Sequence, residues 1–426
     1  MMDKQEETIM STFREVQPDF SQTGWSRRAV LRAVISAAGT SSLTGFGLQP
    51  AYAQETTSDP GVAAAEKTLP RTLAAITAGM GTQQVGAQAY VSIGGKPVAS
   101  FALGLARPGV ALTTETLFNW YSATKPTAAI LIAQLWDQGR IGLDDRVAKY
   151  IPEFAQKGKD EVTIRQCLTH SAGIPHAGSP MQSLKGMTPE LMASIYAAPL
   201  EFPPGQFKEY HPFSTGFILG EIVQRLTGRP YGDHIREALF VPLGMPDCWV
   251  GMSKERFDAY GTKIGLLYAD GKAGKLAPPP GGEKFTLNVI PSATGRGPMK
   301  QFARFYEALL AKGELGGVRI LSKKAAETFT GYHSKLPERD KKRTEPTPSG
   351  LGFVRETRMF GGHASEQVFG SVGSASSVAF CDPLYGLVVT YVLNGRIRDE
   401  AAHRERCAAI SNAIYQDLGL APKRNS

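Results

Sequence analysis

From Thr127 to Trp136 the chain reads Thr-Ala-Ala-Ile-Leu-Ile-Ala-Gln-Leu-Trp, almost without a polar side chain. Pro126 stands in what would be the first turn and Gly139 just past the end, the start and stop signals of a helix. A helix that is apolar all round has no face to offer water, so it has to lie inside a folded body. With 426 residues, 42% of them hydrophobic and 20% charged, the chain can build that body and a second packed unit.

Around this buried helix the patterns change in a definite order. Residues 65–78 read as an amphipathic helix, and residues 86–92 and 97–103 as two strands about Gly94-Gly95-Lys96, a hairpin signal. Residues 140–290 alternate short helical patterns, at 163–168, 188–197 and 215–226, with loops rich in Pro and Gly. Helical patterns return at 299–311 and 323–329, followed by strand-like runs at 377–381 and 386–393 and a last helix at 401–418. Strands near both ends of the chain around a helical middle predict an α+β fold, one sheet built from both ends with an inserted helical domain. The expected boundaries are 54–126 plus 291–426 for the sheet domain and 127–290 for the mostly helical one. No internal repeat is present.

The first 53 residues read as a leader. Arg27-Arg28 precedes a weakly apolar stretch that ends in Ala51-Tyr52-Ala53, a small-x-small cleavage site, and this order describes a twin-arginine signal peptide. Its apolar stretch is interrupted by Arg32 and falls short of the roughly 20 residues that span a bilayer, and nothing later does better. The expected location is therefore periplasmic or secreted, with no membrane span in the mature chain. The net charge of +8 resides in that mature part, because the leader's five basic and five acidic residues cancel. The positive residues are dispersed, and the one dense run, at 339–343, is flanked by Glu338 and Glu345 and reads as a solvated loop, so no nucleic-acid partner is expected. Four cysteines, Cys167, Cys248, Cys381 and Cys407, lie far apart without CxxC spacing, which points to buried thiols and to no zinc site.

Just before the buried helix stands Ser122-Ala123-Thr124-Lys125, the one Ser-x-x-Lys in the chain. A spacing of three puts both side chains on one helix face, and a helix N-terminus offers free backbone N–H groups to an oxyanion. Serine is a poor nucleophile until a neighbouring base takes its proton, and a lysine held neutral can be that base. Taken alone, the tetrapeptide reads sooner as a helix cap followed by a surface lysine.

Its surroundings decide the matter. The stretches Thr116-Leu117-Phe118-Asn119-Trp120-Tyr121-Ser122-Ala123-Thr124-Lys125-Pro126, residues 135–145 and Val162-Thr163-Ile164-Arg165-Gln166-Cys167-Leu168-Thr169-His170-Ser171-Ala172-Gly173-Ile174 resemble the serine β-lactamase and penicillin-binding family. The resemblance is closest to the class C β-lactamase and family VIII carboxylesterase branch and covers nearly all of the mature chain. It implies an antiparallel sheet flanked by helices plus an all-helical domain, with the active site between them. In that family a Tyr-x-Asn motif supplies a tyrosine that works with the lysine. Here Tyr210 takes that place and Pro212 stands where the asparagine would be, while His211 competes as the base. The family's third motif, Lys-Thr-Gly or His-x-Gly on an edge strand, matches Ser371-Val372-Gly373. The resemblance thus implies substrate contacts at Ser371, Gly373 and His211, with the amides of Ser122 and Ser374 as the oxyanion hole.

Ser371 lacks the cation that usually faces a substrate carboxylate, and Arg296 or Lys300 would have to replace it. His170 reads as a structural residue and His363 as a loop histidine. There is no GxSxG elbow, no HExxH and no phosphate-binding glycine loop. The expected chemistry is acyl transfer through a covalent Ser122 ester, with no cofactor and no metal. The expected substrate is a small-molecule ester or amide, first a small or medium ester; the oligomeric state is not legible. The alternatives are β-lactamase or D-alanyl carboxypeptidase activity, and a catalytically silent envelope-binding protein.

Overall fold

A computed structural model describes residues 60–178, 180–269, 282–339, 346–374, 376–397 and 399–420. The expected leader, and most of the basic run at 339–343, lie outside the described residues.

The first helical pattern is two helices, α1 (Pro60–Thr68) and α2 (Pro70–Ala78). Pro70 divides them, since proline has no N–H to give the preceding turn and disfavours helical backbone at the residue before it. Strands β1 (Gly86–Ile93) and β2 (Lys96–Arg107) follow as an antiparallel pair. Gly94 and Gly95 both have positive φ, 56° and 74°, which is the two-residue hairpin turn whose twist matches the strands it joins. A short β3 (Val110–Ala111) continues this edge.

The other half of the sheet comes from the far end of the chain. Strands β7 (Phe369–Gly373), β8 (Ser377–Asp382) and β9 (Leu387–Leu393) form a meander, and β9 lies antiparallel beside β1 with Ala87 opposite Leu393 and Tyr90 opposite Thr390. The sheet order is β7-β8-β9-β1-β2-β3, so the antiparallel sheet is built from both ends of the chain and β7 is an edge strand. Every residue of β8 and β9 is buried, because helices cover both faces. On one face α1, α2 and the last helix α7 (Glu400–Asp417) pack Ala65, Ile76, Ile410 and Ile414 against Phe101, Phe380 and Tyr391. On the other face α6 (Met299–Leu310) contributes Phe302, Phe305 and Tyr306 to a core that runs on without a break into the helical middle of the chain.

That core is centred on the apolar helix, α3 (Lys125–Asp137), nine of whose thirteen residues are buried. It packs on α5 (Ser214–Thr227) and near α4 (Ile164–Leu168), the latter started by a capping box between Thr163 and Gln166. No described helix is long and apolar enough to cross a membrane. A second, much smaller sheet joins β4 (Phe118–Asn119), β6 (Gly295–Gly297) and β5 (Trp249–Val250), with β6 in the middle.

Candidate active site

Ser122 does not sit in α3 itself. It lies in a single 3₁₀ turn, Tyr121–Thr124, that feeds into α3 at Lys125. This turn is held on three sides. Trp120, fully buried, stacks on Phe302 with centroids 3.9 Å apart and meets Phe240 edge-on at 5.9 Å. Its backbone N–H donates to the Gly295 carbonyl (2.7 Å) and its indole N–H to the Gly297 carbonyl (3.2 Å), tying the turn to β6. Tyr121 has φ of 49°, a left-handed conformation that is strained for an aromatic residue. Asn119 offsets that strain by accepting the Tyr121 N–H at 2.6 Å, an Asx turn two residues long. The strained residue immediately precedes Ser122.

The edge strand β7 closes the third side. Gly373 approaches the Trp120 carbonyl so closely that a Cβ there would lie 2.0 Å from its oxygen, and Ser377 Oγ donates to the same oxygen at 2.7 Å. Ser371 Oγ donates to the Ser122 carbonyl at 3.2 Å and is itself buried. The hydroxyl hydrogen of Ser371 goes to the nucleophile's own backbone, and Gly373 permits a close approach to Trp120. Ser374 follows at an exposed turn. Neither its amide nor that of Ser122 donates a hydrogen bond to a described residue, so both N–H groups are available to an oxyanion.

The polar centre consists of three side chains. Tyr210 Oη lies 2.7 Å from Ser122 Oγ and 2.7 Å from Lys125 Nζ, whereas Lys125 Nζ and Ser122 Oγ are 3.4 Å apart. Lys125 also donates to the carbonyls of Pro212 (2.9 Å) and Ser292 (3.3 Å). Two backbone acceptors therefore take two of its hydrogens, and its remaining position faces the two hydroxyls. Pro212, which has no side-chain donor, still serves the lysine through its backbone carbonyl. Tyr210 is 48% exposed, so its hydroxyl is reached from solvent, and its ring lies 4.8 Å from the lysine nitrogen.

His211 is not an alternative base. Its ring is buried, Nε2 accepts the Ile174 N–H (3.1 Å), and Nδ1 therefore carries the proton and donates to the Glu209 carbonyl (2.6 Å). Burial pulls the imidazole down to about 4 against the raising effect of that carbonyl, so it is a neutral strut between two loops and not a substrate contact. His170 belongs to the same cluster: its ring packs on that of Tyr210 with centroids 5.0 Å apart, and its Nδ1 accepts the His211 N–H at 3.3 Å. His363 lies elsewhere, with Nε2 at 3.4 Å from Gln416 on α7.

The two cations that could replace one in the third motif are also accounted for. Lys300 is paired with Glu115 at the surface. Arg296 is buried, donates to Thr286 Oγ1 at 3.0 Å and has no carboxylate beside it among the described residues; burial pulls its guanidinium down to about 10. All four cysteines are free and buried, and desolvation pushes each thiol up. Among the described residues no group of three His, Cys, Asp or Glu side chains is placed to hold a metal ion. Sequence reasoning missed Asn119 and the carbonyls of Pro212 and Ser292. Only Asn119 carried a signal, the habit of a short amide side chain to bond the backbone two residues on.

A hydroxyl on a strained turn, bonded to a tyrosine and a lysine beneath an edge strand, is the arrangement of a serine hydrolase, and the family model described as Beta-lactamase matches residues 73–411. The chain belongs to that family of serine hydrolases. Among solved structures it resembles a penicillin-binding protein homologue from Caulobacter crescentus (28% identity, TM-score 0.67, 88% of this chain and 99% of that one). It also resembles a family VIII carboxylesterase (27% identity, TM-score 0.67, 81% and 97%). The esterase EstB of Burkholderia gladioli is 33% identical over 195 residues, 41% of this chain and 49% of the relative.

Proposed function

We propose that this chain is a carboxylesterase acting on small or medium neutral esters through an acyl-enzyme on Ser122. The observation that carries the reading is Tyr210 Oη set 2.7 Å from both the serine and the lysine. A hydroxyl both gives and takes a proton. As Ser122 Oγ attacks the ester carbonyl, its proton passes to Tyr210 while the tyrosine's own proton passes to Lys125. The amides of Ser122 and Ser374 receive the charge that develops on the carbonyl oxygen. The proton returns by the same route to the departing alkoxide, and a water molecule then repeats the sequence to release the acid.

The preference for neutral esters rests on charge. Antibiotics and peptidyl-D-alanine substrates carry a carboxylate beside the scissile amide, and such a group is best received by a cation. Here Ser371 bonds the Ser122 carbonyl and Lys300 is paired with Glu115. The loss of one charged hydrogen bond costs roughly 1.5–3 kcal/mol, about one to two orders of magnitude in kcat/KM. The deciding measurement compares kcat/KM for p-nitrophenyl butyrate with that for a chromogenic cephalosporin. The ester value should be the higher by at least tenfold, and labelling by a fluorophosphonate should vanish in Ser122→Ala. A cephalosporin value equal to or above the ester value would replace the esterase reading with a β-lactamase.

The same proposal includes export through the twin-arginine signal, supported by Arg27-Arg28 and the Ala51-Tyr52-Ala53 cleavage site. Replacing both arginines by lysine should leave precursor in the cytoplasm, and unchanged export of that variant would remove the claim.

A further inference from the structure

Beside Lys125, lined by residues of α3, α4 and α5, lies a half-open cavity of about 20 Å³ whose polar lining comes from Lys125, His170, Thr215 and Ser292. A cavity of roughly 10–15 Å³ or more with two to four polar partners holds one water molecule. Ser292 Oγ is buried and has no hydrogen-bond partner among the described residues, a rare state for a buried hydroxyl. His170 has its Nδ1 occupied as the acceptor of the His211 N–H, so its own hydrogen is on Nε2, which meets no acceptor among the described residues. A buried hydroxyl without a partner and the N–H of the half-buried His170 thus line a space of a single water's size.

Both residues also touch the reactive side chains. Ser292 gives its carbonyl to Lys125 (3.3 Å), and His170 lays its ring against that of Tyr210 (5.0 Å). His170 adopts a φ of 59°, uncommon for a residue other than glycine, so its placement is imposed by its surroundings. Burial, then His211, Lys125 and Lys208, push its imidazole far below the ordinary range, which keeps it uncharged beside the lysine. We propose that one water molecule joins Ser292 Oγ to His170 Nε2–H, and that this linked pair is a positioning device that sets Lys125 and Tyr210 in register with Ser122. The proposal rests on the reading of Ser122, Lys125 and Tyr210 as the reacting groups. His170 and Ser292 touch no substrate in this scheme. They act through the lysine and the tyrosine.

The test is a double-mutant cycle in kcat and in the rate of fluorophosphonate labelling, using Ser292→Ala, His170→Leu and the double variant of the full chain. Each single change should lower both rates by roughly ten- to a hundredfold, the scale of a displaced catalytic group, with KM for p-nitrophenyl butyrate within about twofold. The double variant should be no slower than the slower single one, because both changes break the same link. His170→Asn keeps an N–H donor and tolerates positive φ, so it should recover most of the rate. If the leucine variant does not fold, His170→Gly, which removes the donor and tolerates positive φ, replaces it in the cycle against Ser292→Ala. Losses that multiply in the double variant would overturn the shared water, and single variants that label at the wild-type rate would overturn the positioning role. Absence of labelling in the unmodified protein would instead refute the catalytic reading itself.

Discussion

Tyr210→Phe removes one oxygen and leaves the rest of the site in place. The lost atom is the single group within 2.7 Å of both partners, and without it Ser122 Oγ and Lys125 Nζ face each other across 3.4 Å. That gap exceeds the roughly 2.6–3.2 Å over which a base takes a proton directly. A positioned acid–base group contributes about 10²–10⁴ in rate, or about 2.7–5.4 kcal/mol of barrier at 1.36 kcal/mol per tenfold. The phenyl ring can keep its place over Lys125 (4.8 Å) and against His170 (5.0 Å), so the melting temperature should move little. In stopped-flow assays with p-nitrophenyl butyrate, kcat should fall by two to four orders of magnitude, and any burst of p-nitrophenolate should disappear because acylation becomes the slow step. A variant within fivefold of the parent rate would refute the relay. If His211→Ala proved crippling at the same time, the proton path would have to run through the histidine that the geometry assigns to the backbone.

Gly373→Ala should separate β7 from the nucleophile turn, since the new methyl would lie 2.0 Å from the Trp120 oxygen and 2.2 Å from Ser377 Oγ. Overpacking of this kind costs about 1–3 kcal/mol; kcat should drop at least tenfold with a lowered Tm, and an unchanged kcat would show that the clamp does not matter to the chemistry. Stability should also fall on mild acidification. His211 and His403, held neutral by burial with values near 4, take up protons only on unfolding once the pH drops below about 6.5. Stability from these groups is complete above that value and is lost as pH falls from 6.5 to 4, by about 3 kcal/mol for His211 alone. Asp145, held near 2 first by the Tyr150 hydroxyl, then by the Gly142 N–H and Lys149, adds its loss only below about pH 4. Melting temperatures constant from pH 7 to 4.5 would contradict this assignment.

What the sequence disclosed about the fold follows from how strongly each signal is written. The apolar run at 127–136 could only be a buried helix, and Gly94-Gly95 fixed a hairpin because two consecutive positive φ values are what that turn requires. Pro70 is equally visible as a break, but the apolar spacing runs straight across it, which is why residues 65–78 read as one helix. The strands that hold the nucleophile turn were illegible for a different reason. Two or three residues, as in β4, β5 and β6, are too short for an alternating pattern.

At the site, Ser122, Lys125 and Tyr210 stood out as residue types with chemistry. The acceptors that steady Lys125 did not, because a carbonyl from Pro212 or Ser292 looks the same whatever residue bears it. For the same reason the absence of an asparagine at 212 overstated the loss: the lysine contact is made by the main chain. Ser371 is the opposite case. A hydroxyl in a motif position invites a substrate, and only the packing of β7 against the turn reveals that its hydrogen is already committed.

The pairing of β1 with β9 also sets a timetable for the ribosome. The bond from the Val85 amide to Asn394 Oδ1 joins positions 309 residues apart, and the clamp on Ser122 comes from residues 371–377. A nascent chain that already displays Ser122, Lys125 and Tyr210 therefore has half a sheet, an uncovered β1 edge and no strand to hold the nucleophile. Contacts of such separation close late and slowly. Until they do, the exposed edge invites pairing with other chains, so truncation before residue 369 should yield an inactive, aggregating product, and the working enzyme is born only when synthesis is nearly over.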